Sequence, residues 1–467
     1  MMAETKTIFI IITRSFITRN ILRSGALELL KKDGYRIVIF FHANSIPAYI
    51  KEEFEDDQVI LVDIHPILGK IHRRFTIIGK YLLFTDTTKL LACFRESRAK
   101  RQEYKDLPKR SNLIINVRLL LLKLLSKINI AKRIFRAVDF YIFSEKNEKI
   151  KKYFNQYNPV LVFSTSIIST LDIAFMKEAR QRGIKTASMQ KGWDNLLNGY
   201  YRFAPDYFLV PNKISVDLGI KYQGLKRDNI YVIGMPQFDW YRKDGIIRSR
   251  ADHFLNKGLD PNRALIFFGS EGIWATFDHQ IAEKIYEWII NNELIRPCQL
   301  LARSHYSNVL SDVFKNLRGK EHVVVDNYRI TNFLIDSWDP SISETIDFTN
   351  SIYHCDIMVN AASTLSLDAA ATGRPVINIL FGCSYRDGKD ITIPSLYGTD
   401  HYKWVLDLEA TALVYNFNQL KDKINDYLLH PEHQKNEREQ LVKKLCYKVD
   451  GQSSLRLADS IKKIIDE

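Results

Sequence analysis

Residues 355–370, CDIMVNAASTLSLDAA, combine an apolar run, a loop of small residues and a helical pattern. Asp356–Asn360 predicts a buried strand, and the spacing from Leu365 onward predicts a helix. The small and hydroxyl residues between them, ending in Ser363 and Thr364, would leave backbone N–H groups facing a ligand, as in phosphate sites. An ordinary helix cap explains the same residues equally well. A strand, a short loop and a helix in this order indicate a parallel α/β sheet.

Two other strands in this half of the chain are followed by loops of similar character. Ala264–Phe268 precedes Gly269-Ser270-Glu271-Gly272, whose glycines would let the backbone approach a diphosphate. Gln299–Ala302 precedes Arg303 and His305, which could hold a pyrophosphate. Each loop alone is also compatible with a plain turn, so the prediction depends on all of them meeting at one sheet edge.

The alternation of strand and helix extends outward over most of the chain. It predicts an α/β protein with two doubly wound domains and a ligand cleft between them. The predicted N-terminal domain spans 1–255 and contains an insertion at about 68–138, the C-terminal domain spans 256–430, and closing helices occupy 431–467.

Candidate residues in the N-terminal half also follow predicted strands. After Lys185–Met189 come Lys191, Trp193 and Asp194. Asp194 is placed to act as a general base, and Trp193 could stack on a sugar or base. The alternative is that Trp193 only plugs the interdomain hinge while Asp194-Asn195 forms a turn. Arg14 follows the first strand and could meet an anionic acceptor.

The charge of the chain is concentrated in one segment. There are 67 Lys plus Arg and 54 Asp plus Glu residues, a net charge of +13. Residues 68–138 contain 18 basic and 4 acidic residues, a net of +14, so the remaining 396 residues sum to −1. A chain with 46% apolar residues and a near-neutral remainder is globular, and no nucleic-acid motif accompanies the charge, so a nucleic-acid partner is not expected.

The termini, cysteines and histidines exclude several other classes. The N-terminal apolar run is too short for a signal peptide, and Leu113–Leu125 is too short and too charged to span a bilayer. Five scattered cysteines predict reduced thiols in a cytoplasmic protein. The eleven histidines do not cluster in the sequence, so we expect neither a metal nor another cofactor.

The chain resembles the GT-B class of glycosyltransferases, and most closely the enzymes that build bacterial capsule and lipopolysaccharide. The segment from Cys355 to Asp368, continued by Gly373-Arg374-Pro375-Val376, is similar to their nucleotide-diphosphate segment. Lys191-Gly192-Trp193-Asp194-Asn195 looks like a loop of their N-terminal domain, and the ending with His430-Pro431, Arg438, Asp450-Gly451 and a helix resembles theirs. The likeness covers most of the chain but not residues 68–138.

This resemblance implies two Rossmann-like domains facing across a cleft, with a nucleotide-sugar site in the second and a C-terminal helix packing back on the first. Asp368 would support the nucleotide or hold its loop. The chain also resembles CDP-glycerol glycerophosphotransferases of teichoic-acid synthesis, which carry a histidine after the second strand of the C-terminal domain, here His305. Those proteins have His-Pro at this point, whereas this chain has His305-Tyr306.

The basic segment offers two interpretations. Leu113–Val138 places leucine, isoleucine and phenylalanine at helical spacing among lysines and arginines, a pattern typical of helices that lie on anionic membranes. The alternative is a helical insertion that packs its apolar face on the N-terminal domain and leaves its lysines in solvent.

The sequence therefore leads to the hypothesis of a metal-independent glycosyltransferase, cytoplasmic and peripheral at the inner face of the membrane. It would use a nucleotide-sugar donor and a lipid-linked or growing glycan acceptor. Its candidate residues are Asp194 and His305 for catalysis; Gly269, Ser270, Glu271, Gly272, Arg303, Ser363, Thr364 and Asp368 for the donor; and Arg14, Lys191 and Trp193 for the acceptor. The alternatives are glycerophosphate transfer from CDP-glycerol and a non-catalytic sugar-nucleotide or glycan-binding protein.

Overall fold

A computed structural model describes residues 5–65, 70–90, 120–121, 123–143, 148–272, 275, 278–305, 312–326, 333–334, 338–386, 389–392 and 394–467. The chain divides into a first unit, Met1–Gly234 with Asn332–Ile335 and Ser454–Glu467, and a second unit, Met235–Thr331 with Asp336–Ser453. The division between the units differs from the boundary predicted at 255. Residues 235–255 belong to the second unit because the Asn350 and Ser351 side chains hold Arg248 and His253 by hydrogen bonds.

The first unit is built on a seven-stranded parallel sheet. Its strands are β1 (Thr7–Ile12), β2 (Arg36–Phe41), β3 (Val59–Asp63), β4 (Pro159–Ser164), β5 (Lys185–Met189), β6 (Tyr207–Val210) and β7 (Ile230–Val232). They lie in the order β3-β2-β1-β4-β5-β6-β7. Every residue of β1 is buried because alternate side chains pack into apolar layers on opposite faces of the sheet.

Helices cover both faces of this sheet. They are α1 (Phe16–Ile21), α2 (Ala26–Lys32), α3 (Ala48–Phe54), α4 (Lys70–Lys80), α5 (Asn129–Tyr141), α6 (Glu148–Tyr157), α7 (Thr170–Gln181) and α8 (Lys213–Gln223). The C-terminal helix, Ser453–Asp466, also packs here, since Leu457, Ile461 and Ile464 are buried in the same apolar layer as Ile8. The predicted return of the last helix to the first domain is confirmed.

The second unit is built on a six-stranded parallel sheet. Its strands are β8 (Ala264–Gly269), β9 (Cys298–Arg303), β10 (Val323–Asp326), β11 (Ile357–Asn360), β12 (Val376–Ile379) and β15 (Ala412–Val414), and a separate hairpin contains β13 (Cys383–Arg386) and β14 (Lys389–Thr392). Its helices are α9 (Arg250–Lys257), α10 (His279–Ile290), α11 (Ile342–His354), α12 (Leu365–Ala371), α13 (Pro394–Tyr397), α14 (Asp400–Asp407), α15 (Phe417–Leu429) and α16 (Lys435–Leu441), and the C-terminal helix is α17.

Each sheet has one point where the strand order reverses. In the first unit this switch point lies between β1 and β4, and in the second it lies between β8 and β11, because the second sheet runs β10-β9-β8-β11-β12-β15. The loops that leave neighbouring strands at a switch point diverge to opposite faces and open a crevice at the carboxyl ends of the strands. The two switch points are therefore where ligands are expected.

Candidate functional site

The switch point of the second unit brings together the predicted donor loops. Gly269 lies beside Asn360 on one neighbouring strand and beside Arg303 on the other. A Cβ atom on Gly269 would lie 2.2 Å from Cδ1 of Leu365, so a side chain at this position would require the Leu365 side chain to move. The loops after β8, β9 and β11 thus start from adjacent strands, as the sequence predicted.

The loop after β8 is folded around a buried carboxylate, Asp278. The backbone N–H of Glu271 donates to Asp278 Oδ2 at 2.8 Å, and Ser270 donates to the same side chain. Burial raises the pKa of Asp278 to about 7. Asp278 holds the loop in place, a role that the sequence reasoning did not assign to it.

Glu271 is the most perturbed acid of this site. Burial is the main cause that raises the pKa of Glu271 to about 8, and the nearby Asp278 adds to it. The side chain is hydrogen-bonded to Ser363, and its Oε1 atom is buried with no partner within the described part of the chain. At pH 7 Glu271 is therefore largely a neutral carboxylic acid, which can donate a hydrogen bond.

The loop after β11 is fixed from behind by a buried polar network. Ser366 Oγ lies 2.9 Å from Tyr402 Oη, which donates to Asn378 Oδ1 at 2.9 Å, and Asn378 Nδ2 donates to the Ala361 carbonyl at 3.2 Å. Ser363 is half-buried and Thr364 is exposed. Tyr402 is also hydrogen-bonded to the backbone of Ser363, and Glu271 is bonded to the Ser363 side chain, so the network and the β8 loop together hold Ser363.

Arg303 and His305, the two residues predicted to hold a pyrophosphate, are both buried or nearly so at the carboxyl end of β9. The Arg303 guanidinium forms a buried ion pair with Asp326, and it also lies 4.5 Å from the ring centre of Phe348. Burial lowers the pKa of His305 to about 4, so the imidazole is neutral at pH 7. Uncharged donors, including backbone N–H groups, would therefore carry much of the binding of an anion here.

Asp368 is hydrogen-bonded to a distant segment of the second unit. It is buried on α12, and Tyr241 donates a hydrogen bond to its Oδ1 atom at 2.8 Å. This contact ties the helix after the β11 loop to residues 236–241.

In the first unit, the loop after β5 orients Asp194. Asn198 Nδ2 donates to Asp194 Oδ2 at 2.7 Å, and Asn195 Nδ2 donates to Oδ1 at 3.2 Å. The side chain is half-buried and held by two neutral amides, which fix its direction. Trp193 is buried, so its ring does not offer an open stacking surface.

A pocket of about 250 Å³ lies at the switch point of the first unit. Arg14 follows β1 and Lys191 follows β5, and both line this pocket, as do Thr13, His42, Ser166 and Thr170. The sequence reasoning named Arg14 and Lys191 but missed the rest. Their positions in the sequence could have identified two of them, because His42 follows β2 and Ser166 follows β4 just as Arg14 follows β1.

The described part of the basic segment docks through polar side chains. Asp139 on α5 is fully buried, and its carboxylate pairs with Lys177 at 2.8 Å and with Arg202 at 3.1 Å. Arg136 donates to the carbonyls of Tyr201 and Gln223, each at 3.0 Å. Phe135 is the only buried apolar residue of α5.

The opposite side of α5 is apolar and exposed. Ile130, Ile134 and Tyr141 are between 56% and 78% exposed. The exposed apolar surface continues through Leu120, Leu121, Leu124, Leu125 and Ile128. The docked face of α5 also has an apolar part, since Phe135 packs with Leu82, Leu83 and Tyr200, and Phe140 packs against the apolar layer of the sheet. Residues 113–119 and 122 lie outside the described residues.

Further side chains bear on the metal and membrane predictions. The histidines are less scattered than predicted, since the rings of His430 and His433 lie 4.9 Å apart. Among the described residues, these two and Glu432 are the one group of three whose ligand atoms lie within 4.8 Å of one another, and all three are exposed. None of the described helices combines the length and the apolar character needed to cross a bilayer.

No family profile and no curated protein matches the chain. Among solved structures, it is similar to a protein from Listeria monocytogenes assigned as a UDP-N-acetylglucosamine 2-epimerase, with 13% identity and a TM-score of 0.52 over 98% of this chain and 96% of that one. It is also similar to S. aureus MnaA in complex with UDP, with 10% identity and a TM-score of 0.50 over 99% and 97% of the two chains. A variant of the wall teichoic acid polymerase TagF with CDPG has 11% identity and a TM-score of 0.52 over 99% and 89%. These similarities and the two sheets establish the fold: the chain has the GT-B architecture of two Rossmann-like units.

Proposed function

We propose that this chain is a metal-independent glycosyltransferase that moves a sugar from a nucleotide-sugar donor to a lipid-linked or growing surface glycan. The observation that supports this most is the convergence of Ser270, Glu271 and Ser363 at the switch point of the second unit. In doubly wound sheets this is where nucleotides bind. The solved structures of similar fold that contain UDP or CDPG are consistent with a nucleotide ligand.

The donor diphosphate would be bound mainly by neutral hydrogen-bond donors. Backbone N–H groups of the glycine-flanked loop, the hydroxyls of Ser363 and Thr364, and the protonated carboxyl of Glu271 can all donate to phosphate oxygens. Fixed donors aimed at the oxygens where charge develops stabilise a leaving diphosphate without a metal ion.

Asp194 is proposed as the general base of the transfer. The acceptor hydroxyl oxygen forms a bond to the anomeric carbon of the sugar, while the bond from that carbon to the diphosphate oxygen breaks. The proton of the hydroxyl passes to Asp194, and the diphosphate leaves with the bonding electron pair. Hydrogen bonds from Asn195 and Asn198 to both carboxylate oxygens keep Asp194 in one orientation, which general-base catalysis requires.

Conservative substitutions test these two roles separately. Asp194→Asn is expected to lower kcat by about 10²–10⁴-fold with little change in nucleotide affinity, because it removes the base and keeps the shape. Ser363→Ala is expected to weaken donor binding and to lower kcat/KM. The measurement is release of nucleoside diphosphate in the presence of acceptor, with Asp217→Asn, an exposed carboxylate of the first unit, as the control. Full transfer activity in both folded variants would contradict the assignment.

The membrane part of the proposal is supported by the exposed surface of residues 120–121 and 123–143. The outward isoleucines and leucines lie beside exposed Lys123, Lys127 and Arg133. Apolar side chains that insert at the level of the headgroups, flanked by cations that attract anionic lipid, are the two components of interfacial binding. Peripheral attachment at the cytoplasmic leaflet would bring the enzyme to a lipid-linked acceptor.

A further inference from the structure

The two switch points of this chain differ in charge. At the second, the buried acids Glu271 and Asp278 and the paired Arg303 leave little net positive charge. At the first, Arg14 and Lys191 line one pocket. The proposed donor site occupies only the second switch point, and the pocket at the first contains Arg14 and Lys191, which the sequence assigns to an acceptor of unspecified chemistry.

The pocket of the first unit favours an anion. Within the part of the chain that the structure describes, the Arg14 guanidinium has no carboxylate or carbonyl partner. The side chains that line the pocket include two cations, an imidazole and hydroxyls, but no carboxylate. An arginine side chain without a partner in a concave site can form charge-assisted hydrogen bonds to the oxygens of a bound oxyanion.

The carboxylate nearest in sequence to the pocket lining is satisfied internally. Asp172 lies on the first turn of α7 and accepts hydrogen bonds from Ser164 at 2.9 Å and from Ser166 at 2.6 Å. It also accepts from the Ser169 backbone N–H at 3.0 Å. Asp172 therefore holds the loop after β4, and its oxygens are directed at these donors.

His42 adds a neutral polar group to the wall of the pocket. Burial is the main cause that lowers the pKa of His42 to about 4, and the nearby His65 and Arg14 lower it further. Its Nδ1 atom is buried and has no partner among the described residues. A neutral imidazole can donate to one phosphate oxygen, and a bound anion would raise the pKa of His42.

The volume of the pocket limits the size of its ligand. At about 250 Å³ it is smaller than the 300–1,000 Å³ typical of sites for drug-sized ligands, so it suits a phosphoryl group with one small substituent rather than a nucleotide sugar. We propose that this pocket binds a phosphoryl group carried by the acceptor. The inference rests on the proposed transferase function and names the class of acceptor, a phosphorylated saccharide or lipid.

The test uses the full chain with its donor site filled by the nucleoside diphosphate that binds best. Glucose 1-phosphate is then titrated calorimetrically into the wild type and into Arg14→Gln, Lys191→Gln and Arg36→Gln. Arg36 is an exposed arginine of the same unit, at the start of β2, and serves as the matched control. In a second arm, neutral vesicles with and without a long-chain isoprenyl monophosphate replace the sugar phosphate. In parallel, His42 is followed by NMR during the titration.

The inference is supported if the phosphate compound of either arm binds at least tenfold more weakly to Arg14→Gln and Lys191→Gln than to the wild type, while Arg36→Gln binds it normally. The arm that responds shows whether the ligand is a soluble or a lipid phosphate. A rise in the pKa of His42 on ligand binding, absent in Arg14→Gln, supports it as well. If phosphate compounds bind in neither arm, or bind Arg14→Gln and wild type alike, while the nucleotide still binds, the pocket is not a phosphoryl site. If no nucleotide binds to the wild type at all, the proposed function itself is contradicted.

Discussion

Nucleotide binding by the wild type is expected to weaken as the pH rises through about 8, and Glu271→Gln is expected to abolish this dependence. The pKa of Glu271 is raised to about 8, so the side chain is a hydrogen-bond donor at pH 7 and a carboxylate at pH 9. A carboxylate would repel the diphosphate, whereas glutamine donates at every pH. Glu271→Leu removes the donor and is expected to weaken binding at least about tenfold at pH 7, as for loss of a hydrogen bond to a charged group.

The measurement is calorimetric titration of the nucleotide at several pH values between 6.5 and 9.5. Glu287→Gln, an exposed glutamate on α10, is the matched control and should retain the wild-type profile. A wild type whose affinity is flat across this range, or a glutamine variant that behaves like the leucine variant, would show that the proton on Glu271 plays no part in binding.

Protonation of Glu271 is also expected to make the free energy of unfolding depend on pH. The native pKa of Glu271, about 8, lies above its ordinary value of 4.5, so the native state retains a proton that the unfolded state loses. The contribution of this group to stability is present below pH 4.5 and is lost as the pH rises to about 8, at up to about 1.4 kcal/mol per pH unit. Denaturant unfolding of Glu271→Gln should lack this part of the slope.

Binding to anionic vesicles is expected to fall roughly 30-fold in the double variant Lys127→Gln, Arg133→Gln. Each basic residue near an anionic surface contributes about 1 kcal/mol, so two removed charges amount to about 2 kcal/mol. Ile130→Ser with Ile134→Ser is expected to weaken binding further by removing the inserted apolar side chains. None of these residues is buried, so folding and nucleotide affinity should stay unchanged.

Vesicle sedimentation measures this effect, and two surface variants control for it. Lys443→Gln with Lys444→Gln removes two exposed charges from the second unit, and Leu429→Ser removes an exposed leucine there. Both should bind vesicles like the wild type. If the segment variants lost nucleotide affinity while retaining vesicle binding, the segment would be a structural insertion.

The sequence predicts the sheets well where side chains are buried on both faces. The apolar runs of β1 and β8 are unambiguous because a strand inside a two-sided α/β sheet needs no polar side. β3 was not predicted because its residues alternate between buried and half-buried and lie among charged residues. The apolar spacing over Ile21–Lys32 alone predicts one helix, whereas the structure ends α1 at Ile21 and begins α2 at Ala26, because Gly25 with φ 109° interrupts the helical backbone.

The sequence predicts which loops of the site lie together, because these loops follow the carboxyl ends of predicted strands. The positions after β8, β9 and β11 follow from the topology, and the three loops do start from adjacent strands. The partners of the charged side chains do not follow from the sequence. Arg303 pairs with an aspartate on the neighbouring strand, and Asp368 bonds to Tyr241, 127 residues away. Such contacts depend on three-dimensional packing, which no local pattern contains.

The central claim is that the second unit binds a nucleotide-sugar donor, and a thermal-shift panel tests it most directly. UDP, GDP, CDP and CMP, each with and without a sugar or glycerol substituent, are added to the wild type and to Ser363→Ala. We predict that one nucleoside diphosphate and its sugars stabilise the wild type, that they stabilise Ser363→Ala less, and that acceptor triggers release of the diphosphate. Stabilisation by CDP-glycerol alone would favour glycerophosphate transfer, and binding without turnover would favour a non-catalytic protein. No response to any nucleotide would contradict the account.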